Sequence, residues 1–420
     1  MMSTKKLTVL STRPSWQRTA LLVLLGVVLL GAYTWAFHDV FAAREPGAVD
    51  FFVRYEGTRL YLTEGLNPYS DEATQRIHEG IYAHEHTNLR PQHAFFYPMY
   101  TVLLIAPYTL LPTYAWVQAA WQVTLQVLLV AGAVLTLRYF NWKPKPWLLA
   151  VLVLWSLLLY PSARAILLGQ LTVVVFFLTV LVFWLLFRGE PSARRDVLAG
   201  VCLSLSTIKP QMQFLIIPLL LLWALKARRW HFIASSALSM GSLLIVSFLM
   251  VPTWLTQWVE QVISYPSFDA VFPPVLHILT HEVFPLGDGV MWALRVLLTI
   301  WLLVEWWQLL RDDDDQRLDW ALAFTLVITH LLAPRTATTS YIVFLFALLP
   351  ILRWLQRMHP LAMFGLMAAL LAGDWLLFAN TLVGDAEATI MFIPLPLITL
   401  LLLVLARGAM VRSTGQPATP

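Results

Sequence analysis

Charge is what this sequence has least of. Only 12% of its 420 residues are Asp, Glu, Lys or Arg, about half the share of a soluble domain. Charge so sparse, beside 59% hydrophobic residues, cannot cover the surface of a water-soluble globule. That excludes soluble enzymes, nucleic-acid binders and disordered chains. Cysteine is nearly absent too: Cys202 stands alone, so a disulfide framework and a Cys-based metal site are both excluded. The chain also lacks the alternating apolar period of an outer-membrane barrel, and neither a repeat nor the inverted pairing of transporter halves is visible. What is present, at a mean hydropathy of +0.70, is one continuous apolar run after another. The fold class is all-α integral membrane, a polytopic helical bundle.

A bilayer core of about 30 Å needs roughly 20 apolar residues per helix. Uncharged runs near that length lie at 19–37, 113–137, 147–160, 167–187, 211–225, 232–251, 290–310, 320–333, 341–352, 361–378 and 388–406. A shorter run, 197–208, stops at Lys209-Pro210. The expectation is twelve crossings, with 95–111 as a re-entrant segment because Pro98, Pro107 and Pro112 interrupt it. The first run could be a signal-peptide core cut near Ala42-Ala43, but it is longer than such cores are, which favours a retained helix.

The basic residues set the orientation. Lys5, Lys6, Arg13 and Arg18 precede the first run. Arg138, Lys143, Lys145, Arg188, Arg194, Arg195, Lys226, Arg228, Arg229, Arg311, Arg317, Arg353, Arg357, Arg407 and Arg412 fall in alternate loops. Placing these inside gives a cytoplasmic N-terminus at 1–18, a single multi-pass domain at 19–406 and a cytoplasmic tail at 407–420. Outside it leaves the long loop 38–94, 161–170, Lys209-Pro210, the large loop 252–289, 334–340 and 380–387. The expected location is a cell membrane with the working face outward.

The outward loops carry the distinctive residues. The first reads Val49-Asp50-Phe51-Phe52-Val53-Arg54-Tyr55, then Gly65-Leu66-Asn67-Pro68-Tyr69, and returns to the membrane at Phe95-Phe96-Tyr97-Pro98. Gly169-Gln170 and Lys209-Pro210 follow. This order resembles glycosyltransferase family 87 of the GT-C superfamily, which includes polyprenyl-phosphate-mannose-dependent α-mannosyltransferases of mycobacterial phosphatidylinositol mannoside synthesis. The shared pattern is an acid after the first helix, a G-x-NPY element, a YPP re-entry, a GQ and a KP. It covers about Asp50 to Lys209, with a weaker echo near Pro334. Met99 stands where the pattern has a second proline, and Ala333-Pro334-Arg335-Thr336 replaces a Trp and paired histidines, which bears on the acceptor more than on the reaction.

The resemblance implies a hexosyltransferase, with mannose the expected sugar. A polyprenyl-phosphate donor and a lipid or glycan acceptor would meet at the outer face, with inversion at the anomeric carbon. It further implies that Asp50 is the general base. The chemistry agrees: a carboxylate must lie about 3 Å from the attacking hydroxyl, and a phosphate leaving group needs little acid. The alternative is that Asp50 caps a loop helix. Lys209, Arg164 and Arg335 are the candidates for the donor phosphate, although Arg164 could equally snorkel to the interface. Tyr97, Gln170, Tyr55 and Asn67 are candidates for the pocket. No cofactor, metal or nucleic acid is expected, the partners being the two substrates and membrane lipids.

Other features read as structural. Gln118, Gln122 and Gln126 form one helical stripe suited to interhelical hydrogen bonds. Asp374 reads as pairing with Arg295 or Arg335, the alternative being a second carboxylate. His78, His84, His86 and His93, with Glu79 and Glu85, suit a solvated loop better than a metal site, and Asp312 to Asp315 a cytoplasmic turn. In the loop 252–289, Trp254, Trp258, Tyr265, Phe268 and Phe272, with Pro266, Pro273, Pro274 and Pro285, read as interfacial residues or a lid over a sugar. The rival functions are a multi-pass secondary transporter and a non-catalytic lipid-binding membrane protein.

Overall fold

A computed structural model describes residues 16–45, 47–82, 93–263, 274–311, 317–382 and 387–412. Among them every regular element is helical, as an apolar chain in lipid must be, because a helix satisfies its own backbone groups. α1 (Trp16–Phe37) leads to the helices of the polar first loop, α2 (Val49–Glu64) and α3 (Asp71–Tyr82), and then to α4 (Thr101–Ile105) of the proline-rich segment. The bundle follows with α5 (Tyr114–Tyr139), α6 (Pro146–Leu158), α7 (Tyr160–Leu167), α8 (Thr172–Phe187), α9 (Ala193–Ser206), α10 (Ile216–Lys226) and α11 (Trp230–Met250). After α12 (Trp254–Ile263) come α13 (Gly287–Arg311), α14 (Leu318–Leu332), α15 (Leu345–Met358), α16 (Pro360–Thr381) and α17 (Pro394–Arg412).

Burial separates core from wall. Nearly every residue of α14 is buried, and α8 and the first two turns of α15 pack with it and with α5. α1 and α13 instead expose Leu21, Leu24, Trp292, Leu297 and Ile300. In water such faces would drive association; in a bilayer they are the outer wall.

Among the described residues, seven helices are long and apolar enough to cross a membrane, or eight if α6 and α7, which meet at 60°, form one broken span. Each of the twelve expected runs falls on a helix, but α8, α9, α10 and α14 have only 16, 14, 11 and 15 residues. The shortfall has one physical origin. α8 starts after Gln170, α9 stops before Lys209, α10 starts beyond the 3-10 turn Pro210–Met212, and α14 stops before Pro334. All four are cut at the end of the bundle where the distinctive loops lie. The proline-rich segment 95–111 forms α4 and a 3-10 turn, Ala106–Leu110, too short to cross.

Direct contacts gather those loops. Asn67 bonds to Gln257, Gln170 to Asp50 and Lys209, Arg335 to the Val262 carbonyl, and Arg164 to Glu387. All six segments expected on one face thus meet at one end.

α9 and α11 cross at Gly200, where an added Cβ would lie 2.7 Å from the Ser236 backbone nitrogen and 2.9 Å from the Phe232 carbonyl oxygen. Backbone atoms cannot swing aside as a side-chain tip would. Gly200→Ala is therefore expected to lower stability by roughly 1–3 kcal/mol, read as a lower unfolding midpoint in detergent. Gly241→Ala on the same α11, where nothing lies within 4 Å, should leave that midpoint unchanged or slightly higher.

Candidate active site

The site is built outward from the start of α2. Ala48, its N-cap, has φ 54°, in the left-handed region that non-glycine residues avoid at a cost of about 1–2 kcal/mol. α5 holds it there. The Tyr114 hydroxyl donates to the carbonyls of Gly47 (3.1 Å) and Ala48 (3.0 Å), and the Gln118 amide accepts from Gly47 N–H (3.0 Å) and donates to the Glu45 carbonyl. No side chain caps the helix. Asp50 lies inside the first turn, half-buried, with its carboxylate turned to a different partner. The helix-capping alternative is not what the structure shows.

That partner comes from the α7–α8 turn. Gly169 has φ 70°, and a Cβ there would sit 2.5 Å from that of Phe51, so only glycine lets the turn lie against α2. Trp121 donates to the Gly169 carbonyl at 2.9 Å, Gln122 donates to the carbonyls of Ile166 and Leu167, and Phe51 stacks on Trp121 at 4.3 Å. The α5 stripe therefore pins both loops, while Gln126 accepts from the Tyr33 hydroxyl of α1. Each of the three glutamines bonds to another segment, as expected of interhelical ties.

The result is a chain of three side chains from three loops. The Gln170 amide nitrogen donates to Asp50, and its oxygen accepts from the Lys209 amine at 2.8 Å. Gln170 and Lys209 are buried, so the half-exposed carboxylate is the accessible end. Lys209 sits in the break between α9 and α10, held by the Tyr100 hydroxyl, which bonds with that of Thr207 at 2.8 Å.

Two further residues join this group that the sequence did not single out. Arg54, one turn after Asp50, is 6% exposed. Its Nη2 donates to the Tyr97 hydroxyl at 2.5 Å, its guanidinium lies 4.1 Å from the Tyr97 ring centroid, and its buried Nε and Nη1 have no hydrogen-bond partner among the described residues. Asp50 and Arg54 both act electrostatically on Lys209. His330, at the end of α14, is 1% exposed. Its Nδ1 faces the Thr336 hydroxyl at 3.3 Å, its Nε2 has no partner, and the charge of Lys209 reaches it. The one available signal was that each is a cation-forming residue close to a motif, since His330 lies four residues before Pro334.

The remaining candidates have other company. Tyr55 is buried with its ring 5.5 Å from Tyr114, and burial pushes its phenol up, which keeps it a neutral donor. Asn67 makes a turn, accepting from Tyr69 N–H at 3.1 Å, and its amide donates to Gln257 at 2.8 Å. The NPY element joins the YP element through the Tyr69 hydroxyl, which donates to the Tyr97 carbonyl at 2.6 Å. Arg164 pairs with Glu387 at 3.1 Å, and the hydroxyls of Tyr160 and Thr338 donate to the same carboxylate. Arg335 donates to the Val262 carbonyl at 3.2 Å. Hydrogen bonds thus link Asp50, Gln170 and Lys209 to one another; Arg164, Arg335 and Asn67 bond elsewhere. Asp374 pairs with neither expected arginine: Arg295 lies over Trp292 at 4.8 Å, and Asp374 Oδ2 is buried without a hydrogen bond.

α12 carries Trp254 and Trp258 and lies on the first loop: Gln261 donates to the Tyr69 carbonyl and Trp258 to that of Phe96. Tyr265, Pro266, Phe268, Phe272 and Pro273 lie outside the described residues, as do His84, Glu85, His86 and the acidic run from Asp312 to Asp315. Among the described residues no three His, Cys, Asp or Glu side chains are placed to hold a metal ion; His78 and His93 meet edge to face at 6.4 Å.

Fold and site together define a polytopic helical membrane protein with a carboxylate, an amide and two cations gathered at one end of its bundle. The model of glycosyltransferase family 87 matches residues 95–334, more than half of the chain. The chain belongs to that family, and is a membrane glycosyltransferase that uses a sugar donor and an acceptor. No curated protein and no solved structure matches it significantly. Tyr97, Gln170, Lys209 and His330 lie within the matched region, whereas Asp50 and Arg54 precede it.

The Gly169 geometry is directly testable. Gly169→Ala combines a left-handed backbone with a clash against Phe51 and should cost roughly 2–4 kcal/mol, measured by thermal unfolding. Phe51→Ala in the same chain should recover part of that loss.

Proposed function

We propose that the chain transfers a hexose, with mannose the expected sugar, from a polyprenyl-phosphate donor to a lipid-linked or glycan acceptor, inverting the anomeric carbon. In this reading Asp50 is the general base. The acceptor oxygen attacks the anomeric carbon as its proton passes to Asp50, and the bond from that carbon to the phosphate oxygen breaks. Polyprenyl phosphate leaves with the electron pair. A donor already activated as a phosphate ester requires no separate cofactor.

One observation carries this reading: a half-exposed carboxylate lies one helical turn from a buried arginine with two unanswered donors. Buried polar atoms without partners are rare and costly. Nε and Nη1 of Arg54 have the geometry that a phosphate oxygen pair satisfies. Lys209, charged when a phosphate is beside it, would supply the second cation, and Gln170 would hold it in register with Asp50. Arg164 and Arg335 are proposed at the rim of the donor site rather than on the phosphate. Tyr97 would orient Arg54, and Tyr55 and Asn67 would shape the wall. Family membership and the absence of internal symmetry favour this over a transporter, and the orphaned donors favour it over a passive lipid binder.

The topology proposed with it has the short helices completing twelve crossings, both termini in the cytoplasm and the site on the outer face of the cell membrane. Most basic residues at the opposite helix ends support it.

The decisive assay supplies labelled polyprenyl-phosphate-mannose and a membrane acceptor fraction to proteoliposomes. Asp50→Asn is expected to reduce transfer at least about 100-fold with binding of the donor retained. Arg54→Gln should raise the donor KM and lower kcat together. Equal transfer by Asp50→Asn and the unaltered protein at matched amounts would refute the role of Asp50. Transfer of other activated hexoses in preference to mannose would correct the sugar and leave the mechanism standing.

A further inference from the structure

The bundle end opposite Asp50 contains a cavity remote from the site just described. α8 starts two residues after Gln170 and runs for sixteen residues to Arg188, which puts the two about 24 Å apart along its axis. α14 spans the same interval in reverse, from Asp319 to His330. At this far end a cavity of about 200 Å³ is lined by Tyr139, Arg188, Asp319, Arg353, Trp354 and Arg357 among others.

Its charges do not balance. Arg188 takes both oxygens of Asp319 at 2.7 Å, and the Tyr139 hydroxyl donates to the same carboxylate at 2.8 Å. The Arg188 guanidinium also stacks 3.9 Å from the Tyr139 ring centroid. That carboxylate is thus already held. Arg353 and Arg357 stand one turn apart on α15, where like charges repel, and the charge of Arg357 acts on Arg353. Arg353 donates to the Phe140 carbonyl at the end of α5. Arg357 is exposed and makes no hydrogen bond or ion pair with a described residue. Two arginines on one wall of a cavity, without a carboxylate between them among the described residues, leave a recess whose described lining is net positive.

The surroundings identify what fills it. Tyr139 and Trp354 are residue types that settle at head-group depth. Pro350 and Met410 give the cavity an apolar side. Basic pockets between helices at this membrane surface suit phospholipid head groups, and a cavity this size takes a phosphate diester and its flanking ester atoms, but not a whole sugar-lipid. We infer that the recess binds the phosphate head group of an anionic phospholipid in the leaflet opposite the active site, held by Arg353 and Arg357.

The test uses the full chain in phosphatidylcholine nanodiscs containing a minor fraction of phosphatidylglycerol, with retained lipid counted by native mass spectrometry and stability followed by thermal unfolding. The unaltered protein should retain phosphatidylglycerol preferentially and unfold at a higher temperature with it. R353Q/R357Q should lower that preference about thirtyfold and R357Q alone about fivefold. Arg357 is exposed and makes no ion pair with a described residue, so R357Q keeps the fold even if the double variant does not. Phosphatidylglycerol retention unchanged in R357Q would overturn the inference. So would stabilisation by millimolar inorganic phosphate in pure phosphatidylcholine equal to that by phosphatidylglycerol, which would make the recess a site for soluble anions.

Discussion

Lys209 is a buried amine in a bundle surrounded by lipid, and an amine there must find acceptors within the protein. The structure meets that demand with a neutral amide rather than with a carboxylate in direct contact. Gln170 accepts from Lys209 and donates to Asp50, so the two opposite charges influence each other while neither consumes the other in an ion pair. Asp50 keeps an accessible side and Lys209 keeps donors to spare. Everything around the site serves this arrangement. The α5 stripe of Gln118, Trp121 and Gln122 fixes the two loops, Gly169 lets them touch, and Ala48 takes up a strained backbone so that α2 begins at the required angle.

The broken helices follow from the same requirement. Non-helical backbone at membrane depth survives only where protein or a cavity covers it. Four helices of the core end around the Gln170 turn, the Lys209 break and the segment after His330. Loose backbone carbonyls at the Gln170 turn and before the Lys209 break are met by Trp121, Gln122 and Tyr100. A bundle of uniformly long helices would be simpler to build and would leave no such concave end.

How far the site was readable from sequence depends on the kind of residue. Asp50, Gln170 and Lys209 stood out through the ordered acid, GQ and KP elements that resemble the family, and Lys209 also because it ends an apolar run. Arg54 did not, because an arginine in a polar loop resembles a solvated charge until folding buries it beneath Tyr97. His330 was hidden in a long apolar run, where a lone histidine gives no periodic signal. Arg164 attracted attention by its nearness to Gln170, but its carboxylate partner is Glu387, more than two hundred residues away, and no local pattern reveals such a pairing. The helices themselves were readable in type and position. Their lengths were not, because hydropathy continues smoothly across the points where the backbone stops being helical.

α12 shows what connection between distant loops means for motion. Gln257, Trp258 and Gln261 each donate to, or accept from, the first loop, at Asn67, Phe96 and Tyr69. The link reaches Tyr97 through Tyr69, and so the hydroxyl that holds Arg54. Any rocking of α12 is therefore transmitted to the guanidinium along this path through three hydrogen bonds. The two loops form one mechanical body although nearly two hundred residues separate them. Exchanging the first loop with that of a relative would carry its function only if α12 were exchanged along with it.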